Sequence, residues 1–355
     1  MKDKYETAPD IIIDGSRGEG GGQILRTALA LSAITGRSFR IVNIRAGRNR
    51  PGLLRQHLAC VLAARDICGA ELRGAELGSG ELTFIPGPIR PGTYSWSVGS
   101  AGSTSLVLQT VLFPLLSAPG DSSVCIEGGT HNGMAPPFQF LDWSFRPMLE
   151  SLGFGFSLAL DRYGFYPAGG GNVRSEIRGT PRRDVPRAEW TKREITGMAV
   201  YAWSSGIPER IGRAEAAAVA EALEIPRERC FAQMVSSPGP GNAVSAVLDL
   251  EDGQLVFTEF GKTGLPLEKV AAGCVRQVRR YLASGARAEE HLQDQLLLPL
   301  SLGSGGCFTA TEPSGHTKTN MEIIRCFLPV QFETKPVREN CWEITVLPEN
   351  QGERK

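Results

Sequence analysis

Histidine is rare in this chain, four copies in 355 residues, and several familiar devices are missing altogether. The eight cysteines, at 60, 68, 125, 230, 274, 307, 326 and 341, form no CxxC pair. That argues against a zinc knuckle or a redox dithiol and for reduced, partly buried thiols. There is no charge surplus, because 38 basic side chains meet 38 acidic ones. A protein that coats long stretches of nucleic acid carries basic excess, so any RNA or DNA here is gripped over a small part. The longest apolar stretches, such as SLVLQTVLFPLL from Ser105, are too short to span a bilayer. The opening MKDKYETAPD is polar and unlike a secretory leader. The expectation is a cytoplasmic protein with no membrane partner. Nucleotide-binding signatures fail as well. FGKTG puts Val256 where a P-loop needs glycine, and Gln23 and Leu25 stand where GxGxxG would place its last glycine.

What is present is a globular composition, 41% hydrophobic and 21% charged, at a length that suits about two domains. It also contains a repeat. A strand at 11–15 leads through a glycine-rich turn to a helix from about Gln23 to Thr35. A strand (39–44), a helix (52–67) and two short strands (70–77, 81–85) follow. The same order returns as strand 93–98, helix 103–117, strand 122–127, helix 138–152 and strands near 154–160 and 171–177. A third copy is interrupted: helix 291–302, strand 307–311, helix from about Thr319 to Phe327, then strands 329–333 and 341–346. Between the copies, 188–284 reads as an inserted α/β domain, with a strand (194–203), an alanine-rich helix (208–223), three strand-like runs and a helix (266–283). The expected class is α+β: three β-α-β-α-β-β repeats form a large domain, 1–187 and 285–355, with the small insert at 188–284.

Glycine-rich turns precede helices at 15–26, 99–109 and 128–137. Such turns expose backbone N–H groups at the positive end of a helix and so favour phosphate, although any single one can be only a tight connection. The segment IRAGRNRPGLLRQH supplies Arg45, Arg48, Arg50, Arg55 and His57, with no acid between Arg40 and Arg65. Arginine forks suit phosphate; a solvated face is the competing reading. Asp294, near the start of an otherwise apolar helix, and Glu19, among glycines, are either residues favoured by helix dipoles or carboxylates facing a divalent metal. One histidine sits in EPSGHTKTN, just before a helix, where it is either a turn residue or a phosphate binder, proton relay or nucleophile.

Six segments carry a resemblance: DGSRGEGGGQILRTALALS, IRAGRNRPGLLRQHLA, GSAGSTSLVLQTVL, GFYPAGGG, HLQDQLLLP and PSGHTKTNMEIIRCFLP. Together, in order and over nearly the whole chain, they resemble the RNA 3′-terminal phosphate cyclase family. The resemblance implies three β-α-β-α-β-β units, related to those of enolpyruvyl transferases, with a small inserted domain. It implies ATP as co-substrate, Mg²⁺ or Mn²⁺ as metal, and an RNA bearing a 3′-phosphate as partner. It also implies ligase-like chemistry, in which a histidine takes AMP from ATP, passes it to the RNA 3′-phosphate, and the 2′-hydroxyl closes a 2′,3′-cyclic phosphate. By position His316 is the nucleophile. Gln109, His291, Leu292, Gln293, Asp294 and Gln295 fall at ATP-binding positions. Arg26, Arg45, Arg48, Gln56 and His57 fall at phosphate- and RNA-binding positions, and Glu19 and Asp294 at metal-facing ones. His291 is a departure, standing where relatives often carry tyrosine. Two alternatives remain at this point. A non-catalytic cyclase-like RNA-binding protein of ribosome assembly shares the fold but lacks the nucleophile, and an enolpyruvyl transferase shares only the repeat topology.

Overall fold

Ile11 and Ile13 are buried while Ile12 faces solvent, the alternation of a strand covered on one side. That strand, β1 (Ile11–Asp14), opens the first unit of the computed structural model, which describes residues 8–180 and 185–349. It is followed by α1 (Gly22–Thr35), β2 (Phe39–Val42), α2 (Arg55–Cys68), β3 (Glu71–Arg73) and β4 (Leu82–Ile85). The helices α1 and α2 both stop at a left-handed glycine, Gly36 and Gly69, whose N–H caps the last turn. The second unit repeats the order with β5 (Thr93–Ser97), α3 (Thr104–Leu116) and β6 (Ser122–Gly128). A π-helical stretch (Phe140–Phe145) then runs into α4 (Arg146–Ser151), and β7 (Ala159–Arg162) and β8 (Gly171–Ile177) close the unit.

The third unit is complete, and its first strand lies before the insertion. The strand β9 (Ala188–Trp190) pairs in parallel with residues 306–308, so the insertion falls between the first strand and first helix of this unit. The inserted segment holds β10 (Ile195–Ser205), α5 (Glu209–Ala222), β11 (Cys230–Met234), β12 (Gly241–Leu250), β13 (Gly253–Phe260) and α6 (Leu267–Ser284). The third unit resumes with α7 (Glu290–Ser301), β14 (Gly306–Ala310), α8 (Gly315–Phe327), β15 (Val330–Arg338) and β16 (Cys341–Pro348). The helix α8 begins four residues earlier than its apolar pattern suggests, because Ser314 caps it: Ser314 Oγ accepts from Thr317 N at 3.2 Å.

The three units share one sheet order, β1-β2-β4-β3, β5-β6-β8-β7 and β9-β14-β16-β15. In each, the first two strands run parallel, joined through a helix, and the rest are antiparallel. This is the expected α+β class. The insert forms its own sheet, β11-β10-β12-β13, with α5 and α6 packed on it. The helix α6 buries Val270, Ala271, Cys274, Val275 and Val278, a stripe at helical spacing. Against the first helices, α1 packs on α3, and α8 packs on both α1 and α7. All eight cysteines are free thiols. Among the described residues no helix is long and apolar enough to cross a membrane.

Candidate active site

The first helices of the three units open onto one cleft of about 510 Å³. Each presents one helical face to it: Gln23, Arg26, Thr27 and Ala30 from α1; Leu106, Gln109 and Phe113 from α3; His291, Asp294, Gln295 and Leu298 from α7. The same periodicity separates the run 291–295. His291, Asp294 and Gln295 line the cleft, whereas Leu292 is fully buried in the core and Gln293 is turned to Thr311 and Glu312, whose Oγ1 and carbonyl accept from Nε2. Leu292 and Gln293 therefore stand behind the wall and do not line the cleft. Gln109 Nε2 donates to Gln295 Oε1, tying α3 to α7.

His316 is the second residue of α8 and lines this cleft. It is not a loose turn residue. Its Nδ1 lies 2.6 Å from Gln23 Oε1, and Gln23 Nε2 donates to Asp294 Oδ2 at 2.7 Å. An ionised carboxylate only accepts, so in its ionised form Asp294 fixes which end of the Gln23 amide faces the ring. The amide oxygen then requires the proton on His316 Nδ1, leaving the Nε2 lone pair unengaged. One turn further along α8, Asn320 Nδ2 donates to the Asp294 carbonyl at 2.8 Å and Asn320 Oδ1 accepts from Thr27 Oγ1 at 2.8 Å. Three helices are thereby clamped around the imidazole. Burial holds the His316 pKa below the ordinary value; Arg26, His291 and Arg48 push the same way and Glu19 opposes them. The ring is neutral at pH 7.

Two ionisable side chains in the cleft form no ion pair among the described residues. Asp294 is 9% exposed and its side chain has one donor, Gln23. Burial raises its pKa to about 7; Glu289 adds to this, and His291, Gln23 and Arg26 pull against it. Arg26 also lines the cleft, and its guanidinium makes no hydrogen bond or ion pair among the described residues. Burial lowers its pKa, with Cys60 and Asp294 opposing.

The remaining expected residues surround the start of α1 without lining the cleft. Arg48 Nη2 donates to the Glu19 carbonyl at 2.7 Å and lies 3.6 Å from Glu19 Oε2. The Glu19 carboxylate in turn occupies the space over Gly315, where a Cβ would stand 2.2 Å from its Oε1. Arg45 has a different task. It sits at φ 55 in the loop before α2, and its Nη1 donates to the carbonyls of Arg50 and, at 3.2 Å, Gly52. It braces the loop. His57 accepts from Leu54 N through Nδ1 at 3.1 Å; its Nε2 is packed against Gly22, where a Cβ would lie 2.4 Å away. Burial, then Arg26 and Arg45, bring the His57 pKa down to about 3. Gln56 Nε2 donates to the Ser103 carbonyl at 3.1 Å, joining α2 to the glycine turn of the second unit. Among the described residues no group of three or more His, Cys, Asp or Glu side chains could hold a metal ion by itself.

Gln23, Asn320 and Glu289 join the site without having been signalled individually. Gln23 had one sequence cue, an amide opening an apolar helix three residues before Arg26, on the same face. Known proteins resemble this chain over nearly its whole length. A profile described as RNA 3′-terminal phosphate cyclase (RTC) matches residues 17–334. A protein of Koribacter versatilis named RNA 3′-terminal phosphate cyclase is 49% identical over 338 residues, covering 95% of this chain and 94% of the relative. Proteins of the same name from Pseudomonas fluorescens and Ralstonia nicotianae are each 46% identical, covering 92% and 96% of this chain and 95% and 97% of their own lengths. With three β-α-β-α-β-β units meeting at a histidine-bearing cleft, the chain belongs to the RNA 3′-terminal phosphate cyclase family.

Proposed function

We propose that this chain uses ATP to convert an RNA 3′-phosphate end to a 2′,3′-cyclic phosphate, through an adenylated His316 and an RNA(3′)pp(5′)A intermediate. The observation that carries the proposal is the pairing, in one cleft, of an imidazole whose Nε2 is unengaged and a guanidinium that makes no hydrogen bond or ion pair, both among the described residues. His316 Nε2 attacks the α-phosphorus of ATP, the N–P bond forms and pyrophosphate leaves. The ring is now cationic, and its Nδ1–H still donates to Gln23 Oε1, with Asp294 behind it to offset the charge. An oxygen of the RNA 3′-phosphate then attacks the same phosphorus, the N–P bond breaks, and His316 is released. Finally the neighbouring 2′-hydroxyl attacks the 3′-phosphorus, loses its proton and expels AMP. The nucleophile is already adjacent, so positioning supplies much of this last rate. Arg26 fits the phosphates of ATP or of the RNA end, and Arg48 lies over the glycine turn beside His316. The neutral balance of charge suits an enzyme that holds only terminal nucleotides.

A divalent metal, Mg²⁺ or Mn²⁺, belongs to the proposal. Of the two expected carboxylates Asp294 fits better, since its side chain has a single amide donor, while Glu19 is shared with Arg48. Mg²⁺ is commonly held by one or two carboxylates plus substrate phosphates, and would neutralise phosphate charge there.

Incubation with ATP labelled at the α-phosphate tests the reading. Wild-type protein should acquire acid-labile, covalent label, and His316→Ala should acquire none while still cyclising RNA supplied with a 3′-pp-5′-A end. Normal labelling of His316→Ala would remove the assigned nucleophile. A wild type that never labels would point to a non-catalytic relative.

A further inference from the structure

The inserted unit contributes a wall to the cleft, and that wall carries two polar side chains that the adenylyl chemistry leaves unused: Glu259, near the end of β13, and Gln277, on α6. Glu259 is weakly engaged. Its Oε1 receives Phe260 N at 3.3 Å and its Oε2 receives Gln277 Nε2 at 3.3 Å, both long for hydrogen bonds, and no ion pair involves it among the described residues. Gln277 Nε2 also donates to the Thr258 carbonyl at 3.2 Å, which fixes the amide beneath the carboxylate. The helix behind them is built around this carboxylate. Gly273 lies mid-helix, where glycine costs about 1 kcal/mol relative to alanine. A Cβ there would stand 2.5 Å from Glu259 Oε2 and 2.9 Å from its Cδ. The glycine keeps the space that Glu259 fills. The same cleft is lined by Phe260, Pro136, Pro137 and Phe140, apolar surfaces of the kind a base ring packs on.

A carboxylate only accepts, so the edge that meets it must donate. We propose that Glu259, oriented by Gln277 and accommodated by Gly273, reads the 6-amino group of the adenine of ATP, and that the inserted unit is therefore the base-selecting wall of the site. The inference rests on the nucleotide reading above and deepens it. Guanine presents an oxygen at that position and would face the carboxylate unfavourably. Purine riboside, with hydrogen there, would forfeit the bond. Hydrogen bonds to a charged group of this kind translate into about ten- to a hundredfold in efficiency.

The test is the rate of covalent labelling with ATP, purine riboside triphosphate and GTP, each carrying label at the α-phosphate. Wild type should favour ATP over both by tenfold or more. In Glu259→Ala the ATP to purine riboside triphosphate ratio should collapse towards one. The near-isosteric Glu259→Gln should keep part of that preference, because an amide oxygen still accepts, and should admit GTP, because an amide nitrogen can donate to O6. A wild type without preference, or a ratio unchanged in Glu259→Ala, overturns the proposal. Either result leaves the nucleophile reading intact so long as label is taken up; absence of label from wild type with every nucleotide would fail that reading instead.

Discussion

Replacing Asp294 with asparagine should stabilise the ligand-free protein while impairing it as an enzyme. In the unfolded chain the carboxyl titrates near 3.8, and in the folded cleft near about 7. Between those values the folded state holds a proton that the unfolded state has lost, so stability falls as pH rises through this window and levels off above it. The gap is about 3 pH units, which at 1.36 kcal/mol per unit is about 4 kcal/mol by pH 8. Asparagine carries no such penalty, and its amide oxygen can still accept from Gln23. Urea unfolding of the ligand-free proteins at a series of pH values is the assay. Near pH 4 the two should be almost equally stable, and by pH 8 the variant should lead by an appreciable part of that figure. Labelling with ATP should meanwhile drop by ten- to a hundredfold or more, the scale of a lost interaction with a charged partner. Stability profiles that run parallel from pH 4 to 8 would refute the claim that this carboxylate is held in the cleft at a cost.

Other expectations follow from the same geometry. Gln23→Leu removes the acceptor that keeps the proton on His316 Nδ1, so labelling should fall by about tenfold or more, and its pH profile should shift because both ring tautomers become available. Arg45→Ala and Arg48→Ala should part company. The first loses the bonds that brace the loop before α2 and should lower unfolding stability by about 1–3 kcal/mol, whereas the second should leave stability near wild type and slow the reaction of 3′-phosphate RNA. His131 is buried, and desolvation, opposed by its hydrogen bond with Gln139, lowers its pKa to about 4. Its contribution is therefore complete above pH 6.5 and is lost as pH falls towards 4, about 3 kcal/mol in all, and His131→Gln should flatten that part of the denaturation profile.

The units that follow one another without interruption were legible because most of their strands alternate and their helices bury an apolar face. The first strand of the third unit was not. Ala188–Trp190 is three residues long, and its partner Gly306–Phe308 lies beyond the whole insertion, so no local pattern announces it. The start of α8 was obscured for another reason: Gly315, His316 and Thr317 are weak helix formers, and the Ser314 cap decides the matter. In the cleft, the alternation of 291, 294, 295 and 298 follows from helical period alone, and treating 291–295 as one block hid it. Arg45 and Arg48 look alike in sequence. Only the positive φ of Arg45 and its hold on the Arg50 and Gly52 carbonyls separate a loop brace from a guanidinium paired with Glu19 across the glycine turn. Glu259 and Gln277 gave no sequence cue, because what they face is built by helices far away in the chain.

The place of the insertion has a consequence for how such a chain can be assembled. Its two ends leave the body side by side: Thr309 of β14 takes part at both, its Oγ1 donating to the Thr191 carbonyl and accepting from Arg287 N. A gap that begins and ends at one point costs little more to close with a long segment than with a short one, since closure entropy grows only with the logarithm of length. The triplicated body can therefore lose or exchange the unit between Thr191 and Arg287 without redrawing any of its three sheets. His316, Gln23, Asp294 and Arg26 all belong to that body, while Glu259 and Gln277 belong to the exchangeable part. On the proposed reading, bond-making and choice of base fall to separate modules of a single polypeptide, so that selection can retune the second without disturbing the first.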